Sequence, residues 1–318
     1  MNLRDLQYII AVAETHHFGQ AAERCFVSQP TLSGQIKKLE AELGVAIFER
    51  TNRSVEITPV GETILSHARQ IMEQADIIEQ LARASQDPLA GPLRVGAIPT
   101  LSPYLMPLIL LPLKKQHPQM KLVLSEELTD TLLARLRNHE IDAALLATAV
   151  KEPDLTSLPL FEEPFWIAYP RKHPFYTKEK ITRKDLEHEN LLLLAEGHCL
   201  ADQAMEVCHL KERADQGELA DLRAASLETL IQLVAAGFGT TLVPALAMRG
   251  SWTTGSGVVA QPLSLPHASR RVSLVYRNSF PRLAALEVFA DVIRNHLPNT
   301  VTILDQAGRA RKPVRKKT

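Results

Sequence analysis

Six residues divide this chain. Asp87-Pro88-Leu89-Ala90-Gly91-Pro92 holds two prolines and a glycine, a combination that neither a helix interior nor a strand interior accepts. Before it, apolar residues recur at helical period. After it, short apolar runs alternate with helical segments, the pattern of an α/β fold. The break therefore reads as a hinge, and 318 residues are enough for two or three domains with cores of their own.

Bulk properties exclude several classes. Lys and Arg number 36 and Asp and Glu also 36, so overall charge gives no hint of a polyanionic partner. No apolar run approaches the roughly 18 residues of a spanning helix. Met1 to Arg4 do not open a secretion signal. Three cysteines in a chain that is not secreted argue against structural disulfides and for a reducing cytoplasm. Neither membrane association nor a cofactor or metal is expected.

The front of the chain is rich in helix. Leu3, Leu6, Ile9, Ile10, Val12 and Ala13 mark one amphipathic helix, and Phe18, Ala21, Ala22 and Cys25 a second, short one with Cys25 in the core. Ser28 is a plausible N-cap for a third, in which Pro30 is tolerated in the first turn and which Gly44 ends. Two short helices joined tightly, the second opening on small polar side chains, form the helix-turn-helix pattern. Gln29, Pro30, Thr31, Ser33, Gln35 and Lys37 are the candidate DNA-contacting residues, by hydrogen bonds to base edges or phosphates. Such a capped polar helix also occurs in bundles that never meet DNA. Moreover, residues 1–90 carry eight Lys and Arg against twelve Asp and Glu, an acidic balance unusual for a nucleic-acid binder.

Phe48 to Ile57 read as a two-stranded wing whose Arg50 and Arg53 approach a phosphate backbone or a minor groove. Thr58-Pro59 then caps a long helix, with Ile64, Leu65, Ala68, Ile71, Met72, Ala75, Ile78, Leu81 and Ala82 at helical spacing to about Ser85. Its narrow apolar stripe, with no evident domain beneath it, predicts a dimerising linker. Beyond the hinge, strands are expected at 93–98, 121–125, 142–147, 165–169, 240–244 and 270–276, with helices between them. Sheets of this kind bind ligands past the carboxyl ends of their strands, where Thr100 and Thr129 fall.

The chemistry concentrates in Leu191 to His209. Four leucines run into Glu196-Gly197-His198-Cys199, and Cys208 follows nine positions later. A buried strand, a tight turn and a helix starting near Cys199 fit this run. A cysteine at a helix N-terminus faces unpaired N–H groups and the positive end of the dipole, and both favour thiolate; a protonated His198 would add to them. Nine residues of helix span roughly 13 Å, whereas a disulfide needs Cα atoms about 4.4–6.8 Å apart. Joining Cys199 to Cys208 would therefore require the helix to unwind. Two ordinary buried cysteines are the alternative reading.

The front of the chain resembles the winged helix-turn-helix and linker of LysR-type transcriptional regulators. The resemblance rests on Phe18-Gly19-Gln20-Ala21-Ala22, Ser28-Gln29-Pro30-Thr31-Leu32-Ser33, Leu43-Gly44, Phe48-Glu49-Arg50 and Thr58-Pro59-Val60-Gly61. The remainder resembles the peroxide-sensing members of that family through Gly197-His198-Cys199, Asp202-Gln203-Ala204-Met205, Cys208 and Ser226-Leu227-Glu228-Thr229-Leu230. What the resemblance implies is an α/β regulatory domain of two periplasmic-binding-protein-like subdomains behind an all-helical winged head and linker helix. The expected bounds are 1–58 for the DNA-binding head, 59–87 for the linker, 88–303 for the sensing domain and 304–318 for a basic, disordered tail. Cys199 would be the peroxidatic thiol and Cys208 the resolving one, with Thr100, Thr129, His198 and Asp202 forming the peroxide pocket. Implied partners are hydrogen peroxide, double-stranded promoter DNA, RNA polymerase, a glutaredoxin- or thioredoxin-type reductant, and further copies of the chain in a homotetramer. This chain has Ala201 where relatives commonly carry Arg, leaving Arg270 or Arg271 to supply the cation beside the thiolate. A family member answering a small organic effector, and a thiol peroxidase, are the competing readings.

Overall fold

The computed structural model describes residues 1–50, 55–84, 89–187, 189–208, 223–249, 257–263 and 265–310. Contacts divide the chain into two units, Met1–Gln86 and Asp87–Thr318.

In the first unit, α1 (Leu3–Thr15), α2 (Phe18–Arg24) and α3 (Gln29–Leu43) pack around Leu6, Ile9, Val12, Ala21, Leu32, Ile36 and Leu39. Side chains cap the starts of α1 and α3. Asn2 and Asp5 form a reciprocal capping box on α1. The Ser28 hydroxyl accepts from the Thr31 N–H, and Gly44 ends α3 in the left-handed region at φ 70°. The wing is an antiparallel pair, β1 (Phe48–Arg50) and β2 (Val55–Ile57), and Arg53, between them in sequence, lies outside the described residues. Thr58 caps α4 (Pro59–Ala84) by accepting from the Gly61 N–H at 2.9 Å. A side chain at Gly61 would put its Cβ 2.3 Å from the Ile47 carbonyl oxygen, so glycine is required there. The long helix does have a domain to sit on, contrary to expectation: Leu65 and Ala68 belong to the core of the head, with Ile64 and Met72 packed on it. Ile71 and Ile78 remain exposed.

The second unit is built on one long strand. β6 (Leu155–Pro170) has sixteen residues, far beyond the expected Phe165–Tyr169. Its first half pairs with β11 (Ser269–Arg277), and through it with β5 (Ala143–Leu146), β3 (Gly91–Ala97) and β4 (Met120–Glu126). Its second half pairs with β9 (Thr241–Pro244) and β10 (Val258–Pro262). Two separate apolar cores result. One gathers β3, β5, β11, α5 (Ser102–Gln116), α6 (Thr129–Arg137) and the last long helix (Leu283–His296) around Leu145, Phe161 and Phe289. The other gathers Phe165, Ile167 and Tyr169 with Leu191–Leu194, α7 (Arg183–Leu186), α8 (Cys199–Val207) and α9 (Leu227–Ala235). The chain passes between them along β6 and again between β10 and β11. These are the two α/β subdomains expected.

Two expectations are corrected. Only Leu193–Leu194 of the four leucines form a strand, β7, parallel to β8 (Arg223–Ala224). Leu191 lies opposite Thr240 instead, where the Leu192 N–H donates to the Thr240 carbonyl and the Thr240 N–H to the Asn190 carbonyl, so the run is buried and extended but shared between two partners. Residues 304–310, counted with the tail, are ordered: Leu304 is buried, and Asp305 N–H donates to the Arg309 carbonyl at 2.8 Å. The tail from residue 311 lies outside the described residues. Among the described residues no helix is long and apolar enough to cross a membrane.

His139, in the turn between α6 and β5, gives this unit a titration. Burial, helped by the Arg277 charge, lowers its imidazole from 6.5 to about 4. Between those pH values the unfolded chain binds the additional proton, so this contribution to stability is complete above about 6.5 and is lost as the pH falls towards 4. His139→Gln should narrow the stability difference between about pH 7.5 and pH 5, measured by urea unfolding.

Candidate functional site

Gly197 turns the chain from β7 into α8. Its φ of 89° lies in the region that favours glycine, and an added Cβ would stand 3.0 Å from a Leu128 methyl. His198 is the N-cap, Cys199 the first helical residue and Cys208 the C-cap, so the predicted helix is present. The two thiols thus occupy opposite ends of one helix. They also face different interiors. Cys199 is half-buried and packs on the first core, whereas Cys208 is buried within the second.

The electrostatics differ from the expected thiolate. Burial, the largest influence, raises the Cys199 thiol, and the net shift is upward despite the Arg270 charge, the Thr129 hydroxyl and the Cys199 backbone N–H. The resting sulfur is therefore protonated at neutral pH. His198 is not a cation either. Burial lowers its imidazole, only partly countered by its hydrogen bond to the Ala225 backbone. Asp202 is exposed, and its charge pushes the thiol further up. It therefore works against the thiolate. Burial pushes Cys208 up to about 12, with only the Arg183 charge opposing.

The cation beside Cys199 is Arg270. Strand alternation decides between the two arginines: in β11, residue 270 points in and Arg271 points out to an exposed pair with Glu162. Arg270 is fully buried against Glu163 of β6, its direct cross-strand partner, at 2.9 Å. Its remaining N–H groups donate to the Thr100 hydroxyl at 2.8 Å and the Thr100 carbonyl at 3.0 Å. The other Glu163 oxygen accepts from the Leu246 N–H at 2.7 Å. Thr100, at the end of β3, bonds the arginine whose charge acts on Cys199, and the Thr129 hydroxyl, at the start of α6, acts on the same thiol.

Three residues of the site stand outside the candidates read from the sequence. Gln203 lies one turn beyond Cys199 on the same helical face, and its amide N–H donates to the Ala147 carbonyl at 2.7 Å, joining the two subdomains. Tyr104 touches both cores and donates to Glu228 at 2.7 Å, a second link between them. Glu163 could have been suspected as a carboxylate inside an apolar strand. Two buried oxygens around the thiol, Thr129 Oγ1 and Gln203 Oε1, make no full hydrogen bond to any described residue. Among the described residues no cluster is arranged to hold a metal.

In the head, Gln29, Pro30, Thr31, Gln35 and Lys37 are exposed on α3, and Ser33 is half-buried. Only the backbone of Arg50 is described.

Residues 3–62 match the profile described as a bacterial regulatory helix-turn-helix protein of the lysR family, and residues 86–298 match the LysR substrate binding domain. The chain belongs to the LysR family of transcriptional regulators. Among LysR relatives, the "Hydrogen peroxide-inducible genes activator" of Pectobacterium carotovorum subsp. carotovorum is 41% identical over 306 residues, covering 96% of this chain and 100% of that one. The "DNA-binding transcriptional dual regulator OxyR" of Escherichia coli (strain K12) is 42% identical, covering 92% and 95%. Solved structures agree in fold. A full-length OxyR variant of Pseudomonas aeruginosa superposes with a TM-score of 0.76 at 42% identity, covering 92% of this chain and 95% of that one. A Corynebacterium glutamicum OxyR variant with hydrogen peroxide bound gives 0.63 at 37%, covering 93% and 92%.

The buried pair yields a prediction. Arg270→Gln leaves the Glu163 carboxylate buried without its cation and should cost about 3–5 kcal/mol in urea unfolding, whereas Glu163→Gln with Arg270→Gln should recover most of the loss.

Proposed function

We propose that this chain is a hydrogen-peroxide-responsive, DNA-binding transcriptional regulator, mainly an activator, switched by oxidation of Cys199 and closure of a Cys199–Cys208 disulfide. The single observation that carries this reading is the division of the two thiols between two cores at the two ends of one helix. The names of the relatives, with a peroxide-bound member among the similar structures, support it.

The chemistry balances without a cofactor. The Cys199 sulfur attacks one peroxide oxygen, the O–O bond breaks, and the departing hydroxide takes the thiol proton and leaves as water. Cys199 becomes a sulfenic acid. The Arg270 guanidinium stabilises negative charge on sulfur and on the departing oxygen, and the buried Thr129 and Gln203 oxygens suit a small molecule bearing O–H groups. The Cys208 sulfur then displaces the sulfenic oxygen, releasing a second water and forming the disulfide. Thr100, Thr129, His198 and Asp202 are assigned to the pocket, with Asp202 at its exposed rim.

Closing that bond requires α8 to unravel. Leu200, Ala204 and Val207 would leave the second core, and a buried Leu or Val contributes about 1.5–3 kcal/mol. A conformational cost on the order of 5 kcal/mol raises the disulfide potential by roughly 100 mV, which leaves the bond reducible by a glutaredoxin- or thioredoxin-type donor in the cytoplasm.

We assign DNA recognition to residues 1–58, through Gln29, Pro30, Thr31, Ser33, Gln35, Lys37, Arg50 and Arg53. Residues 59–87 pair the heads, 88–303 sense peroxide, and 304–318 add non-specific attraction to DNA. Self-association is supported by exposed apolar residues on the regulatory unit: Leu110 and Leu111 on α5, and Val123 and Leu124 on the edge strand β4. A homotetramer that re-spaces its heads on promoter DNA and engages RNA polymerase completes the reading.

Thiol mapping by mass spectrometry under a micromolar peroxide titration tests it: joint loss of free Cys199 and Cys208 supports it, and unchanged thiols refute it. Cys199→Ser should abolish peroxide-induced transcription while leaving DNA affinity nearly intact. Because burial raises the Cys199 thiol, the oxidation rate should climb as the pH rises above neutral. Leu111→Asp with Val123→Asp should lower the mass seen by light scattering.

A further inference from the structure

Phe26 breaks two local rules at once. It occupies the residue after the Cys25 cap of α2, with φ 55°. Its N–H donates to the Glu23 carbonyl at 3.1 Å, and the Val27 N–H donates to the Ala22 carbonyl at 3.0 Å. That pair of bonds is the Schellman ending of a helix, where glycine is the common residue because a Cβ is strained there. A bulky aromatic residue at positive φ is a true outlier. The side chain also gains nothing from packing: at 94% exposure it is the most exposed of the large apolar residues described.

Its place gives the reason. Phe26 sits in the turn of the helix-turn-helix, two residues before the Ser28 cap of α3. In this motif the first residues of the second helix meet base edges in the major groove, so the turn lies against the same duplex. The neighbours Ser28, Gln29, Pro30 and Thr31 are all exposed. One aromatic ring among polar groups is too small for a protein-docking patch, which needs a few hundred Å² of contiguous apolar surface. It matches the one apolar group that the major groove offers, the C5-methyl of thymine.

We propose that Phe26 is a specificity-determining residue that packs on a thymine methyl in each half-site, reading one base beside those contacted from α3. This rests on the DNA-binding role assigned to the head, and that role can fail separately. The backbone strain is then retained for recognition: glycine would suit the turn better but would read nothing.

The test uses the full chain and Phe26→Gly, which relieves the strain and so keeps the fold. The probe is the duplex that the wild-type protein enriches from a random pool, made with thymine and again with single deoxyuridine replacements, which delete only the methyl. The wild type should lose about fourfold in affinity at one thymine per half-site, the value of one buried methyl-sized group. Phe26→Gly should bind the thymine duplex more weakly by a similar factor and be indifferent to that replacement. Its thermal midpoint should not fall. Should Phe26→Gly bind both duplexes as the wild type does, or bind weakly yet keep the same response to every replacement, the proposal is overturned. Enrichment of no sequence at all by the wild type would instead overturn the DNA-binding role beneath it.

Discussion

A buried arginine holds the regulatory unit in its arrangement. Arg270 on β11 and Glu163 on β6 face each other across the ladder between the two strands, both sealed from water. Every hydrogen bond of that pair goes somewhere specific: the guanidinium to the hydroxyl and carbonyl of Thr100, the carboxylate to the Leu246 N–H. The first partner follows β3 and the second follows β9, so one ion pair joins both subdomains next to the chain's crossing between them. A buried pair adds little net stability compared with apolar residues of equal volume, but breaking it is expensive. Its value here is positional. It brings a permanent positive charge to the Cys199 thiol from a strand that is distant in sequence.

The resting thiol is kept protonated by its surroundings even so. Burial is the strongest influence on Cys199, and with the Asp202 charge it holds the thiol up against the arginine, the threonine hydroxyl and the helix start. The site therefore stores reactivity without exposing an anionic sulfur continuously. Cys208, held near 12 in a separate core, is more inert still. Helix α8 is the spacer between them, and it is short. Gly197 limits it at one end, and its packing rests on Leu200, Ala204 and Val207. A short helix over a few apolar contacts is the sort of element that local chemistry can undo. Tyr104–Glu228 and Gln203–Ala147 are the neighbouring links between subdomains, so a change at α8 has neighbours through which to reach both cores.

The head follows a different logic. Its helices are set by caps that a linear sequence displays: Asn2, Ser28, Gly44 and Thr58 all act where their residue types suggest. Less legible is His17, whose ring Nδ1 accepts from the Gly19 and Gln20 N–H groups in the place of the usual hydroxyl cap of α2. Less legible too was the support of α4. Its stripe looked unpartnered because the residues it packs on, in α1, lie some sixty positions away.

Periodicity, caps and turn residues sufficed to place the helices of the head, the long helix α4, α8, α9 and the strands β3, β4, β5, β9 and β11, since these depend on neighbours within a turn or two; the first half of β6, β8, β10 and the last long helix were not placed. The same signals also placed Cys199 and Cys208 nine residues apart on one helix, and Thr100 and Thr129 past strand ends. What tertiary structure alone decided is the environment of each group. Whether Cys199 is thiolate or thiol, whether His198 is charged, and whether Asp202 helps or hinders all depend on burial and on charges from remote strands. Ala201 left a cation unaccounted for, and two adjacent arginines were equal candidates along the chain. Only the parity of β11 against β6 turned Arg270 inward and Arg271 out. Local order is written in short-range pattern, whereas electrostatics and solvent exposure are set by the whole fold.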